Sequence, residues 1–299
     1  MISAATLDTL YRRLVMALAP PTRDYLPLRI EGVVVGWLTG ERARRLADFD
    51  RVFRVDTHGV WLVPELVAEP QRTAALAEVT AQLATEDALT AWRDERYAVG
   101  PGPTATPWLY LERAAARYFG IHTWAAHLNG LVRDDGGPYV WLARRSQDKA
   151  IDPGLLDNLV GGGMAAGSTP AATLVKEAWE EAGIAPELAR SAMAAGKIEI
   201  RRDQPDGLQW ETVFAYDLWL PATFTPANQD GEAVAHVRVG FAEAARLIGC
   251  AAGPDEVTAD ASLVMLDCLL RHGAIDPAGP HFGPLAALRT HGVHSLHAG

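Results

Sequence analysis

Cysteine is nearly absent from this 299-residue chain, which holds only Cys250 and Cys268. Two thiols are too few for a disulfide framework or a closed zinc site built from cysteine, so both read as core thiols of C-terminal helices. Long apolar runs are absent too: no stretch of eighteen hydrophobic residues exists, which argues against a membrane-spanning helix. The opening MISAATLDTLYRRLVMALAP has the pattern of an amphipathic helix and no cleavage site of a signal peptide, so the expected location is cytoplasmic. Positive charge is also in short supply, with 27 Lys and Arg against 37 Asp and Glu and a formal net charge of −10. That balance argues against nucleic acid or an anionic membrane as partner, because both need an electropositive face. A small anionic substrate stays admissible where cations, metal ions included, gather around it. What is present is ordinary globular composition, 49% hydrophobic and 21% charged, with length enough for two domains.

The first third reads as mixed structure. A helix is expected over 6–17, a strand-like run RIEGVVVGWL from Arg29, a short helix in ERARRLADF, short strands in VFRV and GVWLV, and a helix over 72–92. VGPGPTATP, from Val99, is too rich in Pro and Gly for helix or central strand and introduces a short helix in LERAAARYFG. From Thr123 the pattern turns to long strands, with TWAAHLNGLVRD and PYVWLARR joined by a DDGG turn as a hairpin. Further strands run through KIEIRR, QWETVFAYDLWL and EAVAHVRV, and helices through FAEAARLIG and ASLVMLDCLLRHG. Strands that run together and also alternate with helices indicate an α+β fold or α/β/α sandwich. The expected division is 1–118, a mixed α/β N-terminal domain, then 119–272, and a Gly-, Pro- and His-rich tail at 273–299 read as surface structure.

The chemistry-bearing segment is GGGMAAGSTPAATLVKEAWEEAGI, Gly161 to Ile184. Ser168 or Thr169 suits the N-cap, Pro170 the first helical position and Gly183 the left-handed C-terminal position, so a helix is predicted over about 170–182. Within it Glu177, Glu180 and Glu181 stand at i, i+3 and i+4 and share one face. Like charges at this spacing repel by roughly 0.2–0.5 kcal/mol per pair, so a cation is expected among them. Hard divalent cations take oxygen ligands, and Mg²⁺ combines one or two carboxylates with waters and substrate phosphate oxygens. An EE pair alone, with Lys176 four residues before Glu180, would read as a solvated helix face. Glu177 and the glycine-rich entry favour a site for phosphate chemistry.

This segment resembles the Nudix box, G-x5-E-x7-R-E-U-x-E-E-x-G-U, where U is a bulky apolar residue. Aligned on Gly183, the first glycine is Gly162, the acids are Glu177, Glu180 and Glu181, and Ile184 is the last apolar residue. Ser168 stands where the first glutamate is expected, Lys176 where the arginine is, and Ala178 at the apolar position. The resemblance implies a Nudix α/β/α sandwich with a mixed sheet and a Mg²⁺ site, Mn²⁺ being a substitute. Its ligands would be Glu177, Glu180 and Glu181, with a glycine carbonyl near Gly161 or Gly162. Lys176 cannot reproduce the planar fork of arginine. A wider match takes in HLNGLV, WLARRSQDKAIDPGLLDN, VGGG, KEAWEEAGI, VFAYDLWLP and the DGE segment. It is similar to the two-domain Nudix proteins related to the N-terminal half of fungal thiamine pyrophosphokinase, some of whose plant and yeast relatives hydrolyse damaged thiamine diphosphates. The implied activity is Mg²⁺-dependent cleavage of a diphosphate-bearing small molecule, thiamine diphosphate or its oxidised analogues. The alternatives are a hydrolase of nucleoside diphosphate derivatives and a non-catalytic Nudix-fold binding module, the latter motivated by Ser168 and Lys176.

Arg144, Arg145 and Lys149 follow the hairpin, where cations could meet a diphosphate. Asp157 and Asn158 read as turn or cap residues. Glu211, Asp230 and Glu232 are candidates for a further ligand or general base, Glu232 first because the DGE segment belongs to the resemblance. Trp124, Trp141, Trp210 and Trp219 could stack on a heteroaromatic substrate, although tryptophan on strands is more often core. His122, His127 and His236 make no zinc constellation with the cysteines and read as structural. For the N-terminal domain, covering the cleft, selecting the base moiety and mediating a homodimer stay open.

Overall fold

The structure, a computed structural model, describes residues 2–289 except 87, 90 and 150. Residues 290–299 of the expected tail lie outside the described residues.

After α1 (Ala4–Ala17), a four-stranded sheet forms the first layer, in the order β2-β1-β4-β3. The run from Arg29, expected as one strand, is the closing part of a hairpin between β1 (Tyr25–Ile30) and β2 (Val33–Thr39). Glu31 and Gly32 carry positive φ of 51° and 83°, the two-residue turn whose twist matches antiparallel strands. α2 (Gly40–Leu46), β3 (Phe53–Asp56), β4 (Gly59–Leu62) and α3 (Glu69–Thr85) follow. α3 ends before the expected Trp92, because Ala88 N–H returns to Leu83 O and closes the helix. β5 (Arg96–Val99) and β6 (Leu109–Glu112) make a hairpin, so LERAAARYFG opens on two strand residues, Leu111 and Glu112. Its helical part shrinks to a 3-10 turn and α4 (Ala116–Phe119), stopped by Gly120 at φ 54°.

The second sheet runs β11 (Met193–Gln204), β12 (Gly207–Trp219), β7 (His122–Asp134), β8 (Gly137–Arg145), β13 (Ala233–Gly240). β7 is its spine. It pairs parallel with β12 on one edge; on the other it pairs antiparallel first with β10 (Val160–Gly163) and then with β8, which also carries β9 (Leu156–Asn158). Alternation along β7 sorts its side chains between two cores. Ala126, Leu128 and Val132 pack with Leu174, Ala178 and Ala182 of α5 (Pro170–Ala182), a face that α6 (Pro186–Ala189) extends. Ala125 and Leu131 face α7 (Phe241–Ile248) and α8 (Ala259–Arg271). Helices on both faces of a mixed sheet make the expected α/β/α sandwich.

Two pieces reach this second core from outside it. α1 buries Leu7, Leu10 and Leu14 against α7 and α8, and Arg13 Nη1 donates to Ser262 Oγ at 2.9 Å. Each such leucine contributes roughly 1.5–3 kcal/mol when fully buried. α9 (Phe282–Ala287) lies in the stretch expected as surface tail, yet Leu285 and Leu288 are buried there, so apolar residues among the Gly and Pro anchor it.

Candidate active site

α5 forms where its local signals put it. Thr169 Oγ1 accepts from Ala172 N–H at 3.1 Å, Pro170 opens the helix, and Gly183 at φ 64° ends it, with Ile184 N–H bonded to Ala178 O. β10 runs beside α5, and its glycines let the two elements touch. A Cβ on Gly162 would stand 2.4 Å from Glu177 Cδ, and one on Gly161 2.9 Å from the His127 ring. Side chains are therefore excluded on both faces of this strand: Gly162 admits the carboxylate, Gly161 the imidazole.

Glu181 is the most enclosed of the three acids at 7% exposure. Gly161 N–H donates to its Oε2 at 2.8 Å, while its Oε1 has no hydrogen bond among the described residues and faces Lys149 Nζ at 3.9 Å. Burial pushes the Glu181 carboxyl well up from its ordinary value, against the pull of Gly161 N–H and Lys149, and burial raises Glu177 as well. Lys176 Nζ sits 3.0 Å from Glu177 and 2.7 Å from Glu180. Burial works against that ammonium, but its bonds to Glu180 and Glu177 outweigh the cost and hold its pKa above the usual lysine value. The cluster thus gathers amine cations around carboxylates, one of which, Glu181, is a largely buried side chain with an oxygen free of hydrogen bonds among the described residues. Carboxylate oxygens of this kind suit a hard divalent cation; among the described residues, the group whose ligand atoms already lie within 4.8 Å of one another is a different one, Asp217, Cys268 and His272.

Lys149 links this cluster to a cleft. Its ammonium bonds Glu232, whose other oxygen takes Arg93 at 3.3 Å, and burial drives the Lys149 pKa down. The cleft, about 210 Å³, lies on the α8 face of β7 and β10, while the α5 carboxylates lie on the opposite face. The two meet along the edge of β10 away from β7, where Lys149 and Gly162 line the cleft. The first domain supplies part of its wall, including Arg93, Tyr97, Arg113 and Arg117.

The structure divides the candidates from sequence. Gly161, Gly162, Glu177, Glu181, Lys149 and Glu232 converge on one another, with Glu180 joined through Lys176. Arg145 lines the cleft but is committed to Asp157 at 2.7 Å and to the carbonyls of Ile151 and Asp152. Arg144 points the other way, as its neighbour on a strand must, and bonds Gly154 O, Pro254 O and Asp255; it is not brought to the site. Ser168 bonds Thr173, inside the helix entry. Glu211 lines the cleft and accepts from Thr123 and Gln209, away from the helical acids, while Asp230 caps a turn through Glu232 N–H. Of the four tryptophans, Trp210 lines the cleft, stacked on His122 at 4.5 Å between ring centres.

Sequence reading missed the first domain's arginines and Tyr97, Asp152, Gln209 and Asp260 on the cleft wall, and the placement of His127 there. No local signal marks them. They become neighbours through the β7–β12 and β7–β10 registers, which pair Glu211 with Thr123 and Gly161 with His127.

Comparison with known proteins agrees with this geometry. Residues 124–260 match the NUDIX domain family, and residues 13–123 match a domain of unknown function, DUF4743. Nudix hydrolase 24, chloroplastic, of Arabidopsis thaliana is 36% identical over 261 residues, which span 87% of this chain and 71% of the relative. Nudix hydrolase 20, chloroplastic, of the same plant is 35% identical over 263 residues, 85% of this chain and 70% of the relative. Among solved structures, the NUDIX domain of Shewanella oneidensis NrtR complexed with ADP ribose matches with a TM-score of 0.41 and 13% identity, over 52% of this chain and 90% of that one. With two relatives similar over most of both chains and a glycine-entered acidic helix in place, this chain belongs to the Nudix hydrolases, pyrophosphohydrolases of diphosphate-containing small molecules that work with a divalent metal.

Proposed function

We propose that this enzyme uses Mg²⁺, with Mn²⁺ as a substitute, to hydrolyse thiamine diphosphate or its oxidised analogues to the monophosphate and phosphate. The observation that carries the metal reading is Glu181, largely buried, with one oxygen on Gly161 N–H and the other free of hydrogen bonds among the described residues, on the same helix face as Glu177 and Glu180. These three carboxylates would hold the cation, which supplies Lewis acidity toward phosphoryl oxygens when bound. Lys149 and Arg93, at the mouth between the acids and the cleft, would orient the phosphates. Glu232, whose oxygens are taken by those two cations, would be released to accept a proton from attacking water when they turn toward the substrate. The thiamine part rests on the resemblance over nearly the whole chain.

Phosphate release by the purified protein, with Mg²⁺ and with EDTA, tests this across thiamine diphosphate, its oxo and oxy analogues, and nucleoside and sugar diphosphates. Metal-dependent turnover fastest on a thiamine-type diphosphate supports the proposal. Turnover confined to nucleotides discards the thiamine part, and turnover that survives EDTA discards the metal.

A further inference from the structure

His127 stands on β7 opposite Gly161, 7% exposed, with its ring against that glycine and one side lining the cleft. Its Nδ1 lies 2.8 Å from Asn158 Oδ1. Asn158 Nδ2 donates to Asn129 Oδ1 at 3.3 Å, and Asn129 Nδ2 donates to Asp217 Oδ1 at 3.0 Å. Asp217, 2% exposed, is also bonded by Arg271 and His272. Burial opposes its ionisation, but these donors outweigh that and hold its carboxyl below the usual range.

The direction of this chain is set at its far end. An ionised carboxylate only accepts, so Asn129 must turn its amide N–H₂ to Asp217 and its oxygen to Asn158. Asn158 must then donate to Asn129 and accept from His127. In the neutral ring this relay places the proton on Nδ1 and leaves Nε2 with a lone pair. No hydrogen bond reaches Nε2 among the described residues. The cleft wall also carries the carboxyl groups of Asp152, Glu211 and Asp260, the last bonded by Arg202 and Gln209. The Asp152 carboxylate has no hydrogen bond among the described residues, and Glu211 is bonded only by the neutral Thr123 and Gln209. Apart from Arg93 and Lys149 at the phosphate end, the cations of the wall are paired: Arg113 with Glu95, Arg117 with Asp206, Arg145 with Asp157.

We propose that His127 is a specificity-determining residue whose Nε2, fixed as an acceptor, selects substrates carrying an amino group or ring N–H on the organic half of the diphosphate. This rests on the functional reading above and deepens it. His127 faces the cleft, across β10 from the α5 carboxylates, so it reads the organic moiety while the acids and Lys149 hold the phosphates. A ligand that fills the cleft without a donor would leave Nε2 and Asp152 desolvated and unpaired, which is the costly outcome for buried polar groups. The relay to Asp217 joins residues 127, 158, 129 and 217, which no local pattern connects, so the sequence alone reads His127 as structural.

Nitrogen-15 NMR of the histidine-labelled full chain, at a pH where the ring is neutral, reads the tautomer directly. The expected spectrum has a protonated Nδ1 and a bare Nε2 for His127. Thiamine monophosphate and AMP, each beside its analogue with hydrogen in place of the amino group, serve as probes that are not turned over. Expected is a shift of the Nε2 signal with at least one amino probe and not with its partner. His127→Phe should raise KM for the amino-bearing diphosphate by about tenfold, the loss of one hydrogen bond, with little change in kcat or for the desamino analogue. His127→Gln, which keeps an acceptor, should recover part of that loss. A proton on Nε2, equal response to both members of each pair, or no response to any probe overturns the inference. These outcomes leave diphosphate hydrolysis untouched, whereas a correct tautomer and an amino-selective shift with no turnover on any diphosphate would overturn the functional reading instead.

Discussion

Glu181 and Asp217 are both carboxylates enclosed beside the same sheet, and their surroundings drive them in opposite directions. Asp217, on the α8 side, receives hydrogen bonds from Arg271, His272 and Asn129, and its charge is compensated within the chain. Glu181, on the α5 side, receives one backbone N–H, and its other oxygen has no hydrogen bond among the described residues and faces Lys149 at 3.9 Å. One acid is complete without a ligand and the other is not. The difference separates a buried charge that orders the fold from one kept available for chemistry.

The comparison can be broken most severely at Glu181. Glu181→Gln should lower kcat/KM by at least about 10³-fold, since a metal supplies several kcal/mol of transition-state stabilisation. Its stability should move the other way. The folded-state pKa of Glu181 lies above the ordinary 4.5, so the residue's contribution is intact below pH 4.5 and is lost as pH rises through the folded value. Without metal, the variant should melt above wild type at pH 8, and the gap should close below pH 4.5. Asp217→Asn is the converse: a loss of about 3 kcal/mol in urea unfolding at pH 7 is expected. That is the low end for a broken buried pair because Arg271 keeps some solvent.

His122 extends the contrast to a buried base. It stacks on Trp210, bonds Thr212 at 2.8 Å, and burial lowers its pKa from 6.5 to about 4. The unfolded chain binds this proton below pH 6.5 and the folded one only near 4, so stability falls as pH drops between them, by up to about 3 kcal/mol. Denaturant titrations at pH 7 and pH 4 should show that fall to be smaller in His122→Phe. Gly162→Ala sharpens the α5 side, because the new Cβ collides with Glu177; a loss of about 2 kcal/mol in stability and reduced metal affinity by calorimetry are expected. The smallest effect belongs to Arg144→Ala. Its bonds run to Gly154, Pro254 and Asp255, so KM should stay within about twofold while stability drops by about 1 kcal/mol.

The bounds of α5 are legible in the sequence because caps are local: Thr169, Pro170 and Gly183 act within one turn of themselves. The clustering of Glu177, Glu180 and Glu181 is legible for the same reason. Arg144 and Arg145 show where this stops. Alternation says that they diverge, but only the pairing of β8 with β9 and β13 decides which of them turns toward the cleft. The hairpin at Glu31 and Gly32 is obscured because its turn interrupts a run of apolar residues by only two positions. His127, Asp152 and Asp260 gain their meaning from contacts across more than twenty residues of chain, which periodicity does not record.

α1 carries one further consequence, for the order in which this protein is made. Leu7, Leu10 and Leu14 are synthesised before the surface they cover, which is completed only when α7 and α8, from 241 to 271, have been made. An early helix must wait, its apolar stripe unprotected, for a late partner. A fragment beginning at residue 119 would lack this cover on α7 and α8 and should aggregate during expression, whereas adding residues 2–18 in trans, as a separate peptide, should restore solubility.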